Sequence, residues 1–223
     1  IHYNSPRSGA PFVAINCAAI PGALLEAILF GTSKGAFTGA LDKAGLFETA
    51  NGGTLFLDEL NSMPLDLQPK LLRAVQDRLV RRIGSSQELA IDIKIISAVN
   101  ESPFTAIKQG LMRSDLFYRL GVVMVNLPPL RERRVDIPLL LNHFVAGFNK
   151  SLQKNVSGFS ADALGFLSDC SWPGNVREME HAIEATMNLL DDHERTITLK
   201  HLREALPLMR FDGRAAVKPE TII

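Results

Sequence analysis

The sequence lacks the features that would tie it to an oxidising compartment, a membrane or a polyanion. Its only two cysteines, Cys17 and Cys170, lie far apart and outside any metal-ligand spacing. Lys+Arg and Asp+Glu number 24 each, and this balance argues against bulk electrostatic binding to nucleic acid or anionic lipid. No apolar run approaches membrane-spanning length, and the first residues do not resemble a signal peptide. We therefore expect a reduced, cytoplasmic protein that does not enter a membrane.

Short apolar runs alternate with amphipathic segments through the first part of the chain. Pro21 and Gly22 open one predicted helix, and a longer helix begins near Pro64 and Asp66. Strands that alternate with helices are typical of a parallel α/β sheet, which is the fold class we predict. The predicted strands are 12–16, 54–57, 91–98 and 122–127.

After residues 127–129, Leu-Pro-Pro, the pattern becomes helical. We predict helices at about 137–152, 160–169, 175–191 and 198–205, and no convincing strand. Ser160, Asn175 and Thr198 stand where N-caps belong, and Asn175 with Glu178 resembles a capping box. The expected organisation is an α/β core over 1–136, a small helical domain over 137–207, and a linker or tail over 208–223.

Polar side chains follow three of the predicted strands. Asp58 and Glu59 come directly after one strand, Asn16 ends another, and Asn100 follows a third. Ligands of open α/β sheets bind at the carboxyl ends of strands, where adjacent acids suit a divalent metal and an attacking water. Taken alone, the acids could equally cap a helix, and Asn16 could form a turn or bond to a carboxylate such as Glu59. Three polar strand ends favour one shared site.

Three arginines stand in positions that call for an anion. Arg113 and Arg119 lie among apolar and aromatic residues, so each needs a carboxylate such as Asp115 or a phosphate. Arg177 falls in the first turn of a predicted helix, where a cation opposes the helix dipole. It would bind an anionic ligand or pair with Glu178 or Glu180. A DNA-binding helix-turn-helix is rejected for 160–190, because acidic residues there outnumber basic ones and would repel the phosphates of DNA.

A glycine-rich stretch contains a single aromatic residue. It reads Gly35, Ala36, Phe37, Thr38, Gly39 and Ala40. A phenylalanine in such a run either packs onto the core or projects towards a partner, and composition alone favours packing.

These motifs, in this order, resemble the central AAA+ domain of bacterial enhancer-binding proteins, the ATPase activators of sigma-54 RNA polymerase. The resemblance covers residues 1–207, and the sequence GAFTGA at 35–40 is close to unique to that family. The matching segments are 35–40 (GAFTGA), 53–59 (GTLFLDE, the Walker B motif), 116–120 (LFYRL), 127–133 (LPPLRER) and 172–178 (WPGNVRE).

The resemblance implies a fold and a nucleotide site. The fold would be an AAA+ parallel-sheet core with a helical lid, and the cofactors would be ATP and Mg²⁺. Asp58 would bind Mg²⁺ and Glu59 would activate water. Asn16 would restrain Glu59 until nucleotide and target are in place. Asn100 would be the first sensor of nucleotide, and Arg177, from the lid, the second.

The resemblance also implies partners. Arg113 and Arg119 would act as arginine fingers across a subunit interface in a ring, typically a hexamer. The 35–40 loop would contact sigma-54 and so act on RNA polymerase. Promoter or enhancer DNA would be bound by a domain outside this chain.

The sequence departs from the family pattern in three places. It contains no P-loop, G-x-x-x-x-G-K-[ST], which in the family lies just upstream of the segment matching residues 1–4, so we expect a truncated chain that does not hydrolyse ATP by itself. Thr32 and Ser33 replace a common His-Glu, which would alter how nucleotide state reaches the loop. Val99 replaces a threonine and Met112 a phenylalanine, and neither change removes a catalytic group. The alternative function is a non-hydrolytic interaction module.

Overall fold

The structure, a computed structural model, describes residues 1–206 and divides into two compact units between Met124 and Val125. The expected tail, 208–223, lies outside the described residues. The sequence grouped 125–136 with the α/β core, whereas fully buried Leu130 lies in the hydrophobic core of the second unit. Within residues 1–206, no helix is both long and apolar enough to cross a bilayer.

The first unit is built on a parallel three-stranded sheet. Its strands lie in the order β1 (Phe12–Asn16), β4 (Thr54–Asp58) and β7 (Lys94–Ser97). Their register sets Phe12 opposite Thr54 and Leu57 opposite Ser97. Leu55 and Leu57 are fully buried, as expected for a strand in a well-covered sheet. The predicted α/β class is confirmed. In chain order the elements are β1 (Phe12–Asn16), α1 (Gly22–Phe30), β2 (Gly31–Thr32), β3 (Lys43–Ala44), α2 (Leu46–Thr49), β4 (Thr54–Asp58), α3 (Gln68–Asp77), β5 (Leu79–Val80), β6 (Leu89–Ala90), β7 (Lys94–Ser97), α4 (Pro103–Lys108) and α5 (Ser114–Leu120).

The strand predicted at 122–127 is wrong. These residues form no ladder, and the apolar side chains there are exposed, with Val122 at 84% and Leu127 at 83%. A strand needs a hydrogen-bonding neighbour, and among the described residues β7 pairs with β4 alone. Sequence pattern reports that a segment is apolar, but a strand forms only where a partner edge is present.

The second unit is helical, and the predicted helices are confirmed within a few residues. Its core includes fully buried Leu141 and Ile183, and the indole Nε1–H of Trp172 donates to the carbonyl of Leu167 at 3.0 Å. Two very short parallel strands were not predicted, because two residues carry no periodicity. The elements are α6 (Ile137–Ser151), β8 (Gly158–Phe159), α7 (Ala161–Asp169), α8 (Asn175–Leu189), β9 (Thr196–Ile197) and α9 (Leu199–Ala205).

The N-cap predicted at Asn175 is displaced by one residue, and the predicted capping box is not formed, because the glycine at the cap has no side chain. Gly174 is the N-cap of α8, and its N–H donates to Oε2 of Glu178 at 2.7 Å. Asn175 is the first helical residue, with a positive φ of 54°, and its Oδ1 accepts the N–H of Leu130 at 2.8 Å. The side chain of Asn175, which the local sequence pattern predicts as the helix cap, therefore bonds to the distant residue Leu130 instead.

Two glycines bring the chain together at the β2–β3 hairpin. A Cβ on Gly45 would lie 2.4 Å from the backbone of Leu29, Phe30 and Gly31, and Gly31 itself has a φ of 81°. Backbone atoms on both sides leave no room for a side chain. The close approach fixes the two ends of the segment between β2 and β3.

We predict that Gly45→Ala destabilises the chain by about 3 kcal/mol, because the added methyl group meets backbone that cannot move aside. The measurement is the urea midpoint of far-UV circular dichroism. The matched control is Gly9→Ala, where a Cβ has nothing within 4 Å and the expected change is below about 0.5 kcal/mol. Equal midpoints for the two variants would contradict the packing seen here.

Candidate functional site

The carboxyl edge of the sheet brings two of the predicted residues into contact. β1 and β4 pair in parallel so that Asn16 stands opposite Asp58, and Nδ2 of Asn16 donates to Oδ2 of Asp58 at 3.4 Å. Oδ1 of Asn16 accepts the N–H groups of Ala18 and Ala19 at 2.8 and 3.2 Å. The side chain of Asn16 is thus fixed from both ends, and it presents its amide to the acid of the neighbouring strand.

The expected contact between Asn16 and Glu59 is not formed. Glu59 leaves β4 in the left-handed region, with φ 50° and ψ 47°, and its N–H donates to Oδ1 of Asp58 at 3.0 Å. Register explains the difference, because Asp58 and not Glu59 is the residue opposite Asn16. A non-glycine residue held at positive φ beside two polar strand ends is typical of functional sites.

A buried thiol lies next to the two acids at this edge. Burial raises the pKa of Cys17 to about 11, and the nearby carboxylates of Asp58 and Glu59 add to the shift. The backbone N–H of Cys17 donates to the carbonyl of Asp58 at 2.9 Å, which places the thiol residue against the acids. The edge therefore carries a negative field, and a bound cation would relieve it.

Asn100 follows β7, the next strand of the same sheet. Its Oδ1 accepts Nδ2 of Asn61 at 2.8 Å. Asn61 lies in the 3-10 turn Leu60–Ser62, directly after Glu59, and its side chain is buried. Sequence reasoning missed Asn61, since an amide in a polar turn gives no signal until the neighbouring strand is placed beside it.

The two candidate finger arginines lie on or beside α5. Nε of Arg113 donates to Oδ1 of Asp115 at 3.0 Å, and Nη2 donates to Oδ2 at 2.7 Å. This bidentate bond holds the pKa of the Asp115 carboxyl below its usual value. Arg119 is exposed and has no ion pair among residues 1–206. Of the two anions considered for Arg113, the structure contains the carboxylate.

Arg177 belongs to the second unit, in the first turn of α8. It is exposed and, in the described part of the chain, pairs with neither Glu178 nor Glu180. The turn before it is strained, because Trp172 and Asn175 both have positive φ, at 48° and 54°. Burial of Trp172 holds that conformation and so fixes where the helix begins.

Residues 35–40 form a pair of tight turns that are mostly exposed, and only Ala40 at their end is buried. Phe37 is 54% exposed, and the N–H of Ala40 donates to its carbonyl at 2.9 Å. Gly35 and Gly39 have φ values of 86° and 82°, which an L-residue rarely adopts. Phe37 is thus not packed onto the core, and the loop presents it to solvent.

The base of this loop is held by a second hairpin, which the sequence did not reveal. Ser33 N–H donates to the carbonyl of Ile83 at 2.9 Å, and a Cβ on Gly84 would lie 2.6 Å from that of Ala36. Arg82 bonds both carboxylate oxygens of Glu48 in α2, at 2.8 and 2.6 Å, and holds the pKa of that carboxyl below its usual value. The 35–40 loop is therefore connected to the β5–β6 hairpin.

Thr32, one of the departures from the family pattern, also holds this base. It is buried, and its hydroxyl donates to the carbonyl of Leu41 at 2.6 Å across the two ends of the loop. On the same side, Lys34 N–H donates to Oδ1 of Asp42 at 2.9 Å. An exposed tip is thus carried on a fixed base.

Comparison with known proteins assigns both parts of the chain to described families. A family model for the sigma-54 interaction domain matches residues 1–126, and one for the AAA+ ATPase lid domain matches residues 131–216. The chain is 55% identical over 222 residues to the transcriptional activator RocR of Bacillus subtilis, covering 100% of this chain and 46% of RocR. It is 52% identical over 185 residues to the regulatory protein AtoC of Escherichia coli, covering 82% of this chain and 40% of AtoC.

A solved structure shows the same fold. NtrX from Brucella abortus, crystallised in complex with ATP, superposes with a TM-score of 0.82 at 34% identity, over 97% of this chain and 47% of that one. The chain spans about half the length of the relatives it matches, or less. On these matches, the chain belongs to the sigma-54 interaction domain family, and it carries an AAA+ lid domain as its second unit.

Proposed function

We propose that this chain is the ATPase domain of a sigma-54-dependent transcriptional activator, and that it couples ATP hydrolysis to remodelling of the closed sigma-54 RNA polymerase complex. The observation that carries the proposal is the pairing of Asn16 with Asp58 at the carboxyl edge of a parallel sheet, with Glu59 held at positive φ beside them. Exposed Phe37, on a loop whose base is held in place, would contact sigma-54. The crystallisation of NtrX in complex with ATP supports the choice of nucleotide.

The residues present fit the metal and water side of a nucleotide site. Mg²⁺ is held in proteins by one or two carboxylates together with substrate phosphates, so Asp58 suffices as its protein ligand. Bound Mg²⁺ would supply electrostatic stabilisation of the phosphate oxygens. Such a cation would neutralise the negative charge of Asp58 and Glu59, which also contributes to the raised pKa of Cys17.

Glu59 is the general base in this proposal. Its carboxylate would take the proton of the attacking water. Its left-handed backbone conformation determines the direction in which the side chain leaves the chain. Asn16 keeps Asp58 in place through the amide contact and leaves Glu59 unbonded to it. The proposed role of Asn16, to restrain Glu59 until nucleotide and target are in place, would require its amide to exchange Asp58 for Glu59.

Arg113 and Arg119 would complete the site from a neighbouring copy, and Arg177 would sense the nucleotide from the lid. A finger acts on phosphate bound by another subunit, which fits a ring, and we propose a hexamer as in the family. Arg113 is neutralised by Asp115 here, so it would exchange that carboxylate for phosphate on assembly. Exposed Arg119 and Arg177 carry no such carboxylate among residues 1–206 and are ready for an anion.

A non-hydrolytic interaction module is the second candidate. It is favoured by one observation, the absence of a P-loop motif from the 223 residues. The ATPase and the interaction module differ in whether the protein hydrolyses ATP in a reaction that depends on Glu59. DNA binding would belong to a domain outside residues 1–223 in either case.

We predict that Glu59→Gln in the full-length gene product lowers ATP turnover by about 100-fold or more, because glutamine cannot accept the proton of water. Steady-state phosphate release measures the loss, and binding of ATP should be retained. The matched control is Glu204→Gln, at an exposed position of α9, with unchanged turnover expected. If the full-length protein shows no ATP turnover that depends on Glu59, only the interaction module remains.

We predict that the chain 1–223 by itself shows no ATP turnover above background. It has no lysine or backbone loop of the P-loop type for the phosphates. The measurement is the same phosphate-release assay, with the full-length product as the positive control. Turnover by the short chain that Glu59→Gln abolishes would refute this prediction and would require a different phosphate cradle.

We predict that Thr38→Ala separates hydrolysis from activation. Loss of a loop-tip contact should lower sigma-54-dependent transcription in vitro about 10-fold, while ATP turnover stays within about 2-fold. Thr105→Ala, at an exposed position of α4, is the control and should leave both unchanged. Wild-type activation by the Thr38 variant would refute the assignment of the 35–40 loop as the sigma-54 contact.

A further inference from the structure

The turn that follows the acids contains a buried amide whose bonding is one-sided. Nδ2 of Asn61 donates to Oδ1 of Asn100 at 2.8 Å and to Oε1 of Glu101 at 3.4 Å. Its Oδ1 is buried and has no hydrogen-bond partner among the described residues. A buried acceptor without a partner destabilises a fold, so the two donor bonds determine how this amide is oriented.

The backbone around Asn61 places it beside Asn100. Ala98 N–H donates to the carbonyl of Leu57 at 2.9 Å, and Leu60 N–H donates to the carbonyl of Ala98 at 3.0 Å. These bonds extend the β4–β7 pairing past the end of both strands. The turn that carries Asn61 is therefore bonded to the exit of β7, and a short side chain is enough to reach Asn100.

The contact decides which end of the Asn100 amide is available to a ligand. Asn100 is exposed, and its Oδ1 is engaged by Asn61. Its Nδ2 has no acceptor among residues 1–206, so two N–H donors remain. An amide free to rotate would present its oxygen or its nitrogen, whereas this one presents donors, which suit an anion.

We propose that Asn61 is a positioning residue that orients the Asn100 amide so that its N–H donors meet the terminal phosphate of a bound nucleoside triphosphate. The inference rests on the proposed function, since it takes the carboxyl edge of the sheet to be a nucleotide site. Asn61 does not touch the nucleotide. It acts through Asn100 and makes that residue distinguish a triphosphate from a diphosphate.

The test compares nucleotide affinities of the full-length gene product, measured by equilibrium titration with ADP and with a non-hydrolysable ATP analogue in Mg²⁺. In Asn61→Leu, the volume is kept while both donors and the unpartnered oxygen are lost. We expect the affinity for the ATP analogue to fall about 10-fold, the value of one hydrogen bond to a charged group, and that for ADP to stay within about 2-fold. The melting temperature should stay equal or rise, because a buried acceptor without a partner has been removed.

A double-mutant cycle shows whether Asn61 acts through Asn100. Asn100→Ala should weaken the ATP analogue at least as much as Asn61→Leu does, and the double variant should match Asn100→Ala alone. Asn51→Ala is the matched control, because Oδ1 of Asn51 bonds the N–H of Asp92 at 2.7 Å at the opposite end of the sheet. It should leave both affinities unchanged.

The outcomes separate the two proposals. If the unsubstituted protein binds neither nucleotide, the proposed function fails and this inference fails with it. If it binds both, and Asn61→Leu distinguishes them as well as the unsubstituted protein does, the inference alone is overturned. An effect of Asn61→Leu that persists in full on the Asn100→Ala background also overturns it, because Asn61 would then act by another route.

Discussion

The parallel pairing of β1 with β4 is the constraint on which the rest of the site depends. Its register sets Asn16 opposite Asp58, and a shift of one residue would send every side chain of the strand to the other face. Buried Leu55 and Leu57 fix that register because they must face the core. The polar strand ends then come together at one edge, where their charge adds to the effect of burial on the pKa of Cys17.

The 35–40 loop has an exposed tip and a base that close packing holds in place. Gly31 and Gly45 approach too closely for any side chain, and Arg82 bonds both oxygens of Glu48. A change at the base can reach Phe37 as a displacement, since packed backbone does not absorb it. The glycines at 35 and 39 lie at the tip, at positive φ and with nothing within 4 Å of an added Cβ, so the tip lacks the close packing of the base.

Sequence reasoning was strong where local chemistry repeats and weak where a partner decides. The helices of the second unit followed from periodicity, and the strands predicted at 12–16 and 54–57 followed from short apolar runs. The strand at 122–127 did not form, because an apolar run becomes a strand only beside an open edge. Asn175 left its predicted cap for Leu130, a residue 45 positions away in the chain, which no local rule foresees.

The sequence by itself determined the family, the residue types at the strand ends and the glycines of the loop, since these are written in motifs of contiguous residues. Only the tertiary structure decided which residues bond to each other. It paired Asn16 with Asp58 and not with Glu59, exposed Phe37, tied Arg113 to Asp115, and set buried Asn61 against Asn100. The physical reason is that hydrogen bonds and ion pairs depend on distances between segments far apart in the chain, and strand register and packing fix those distances.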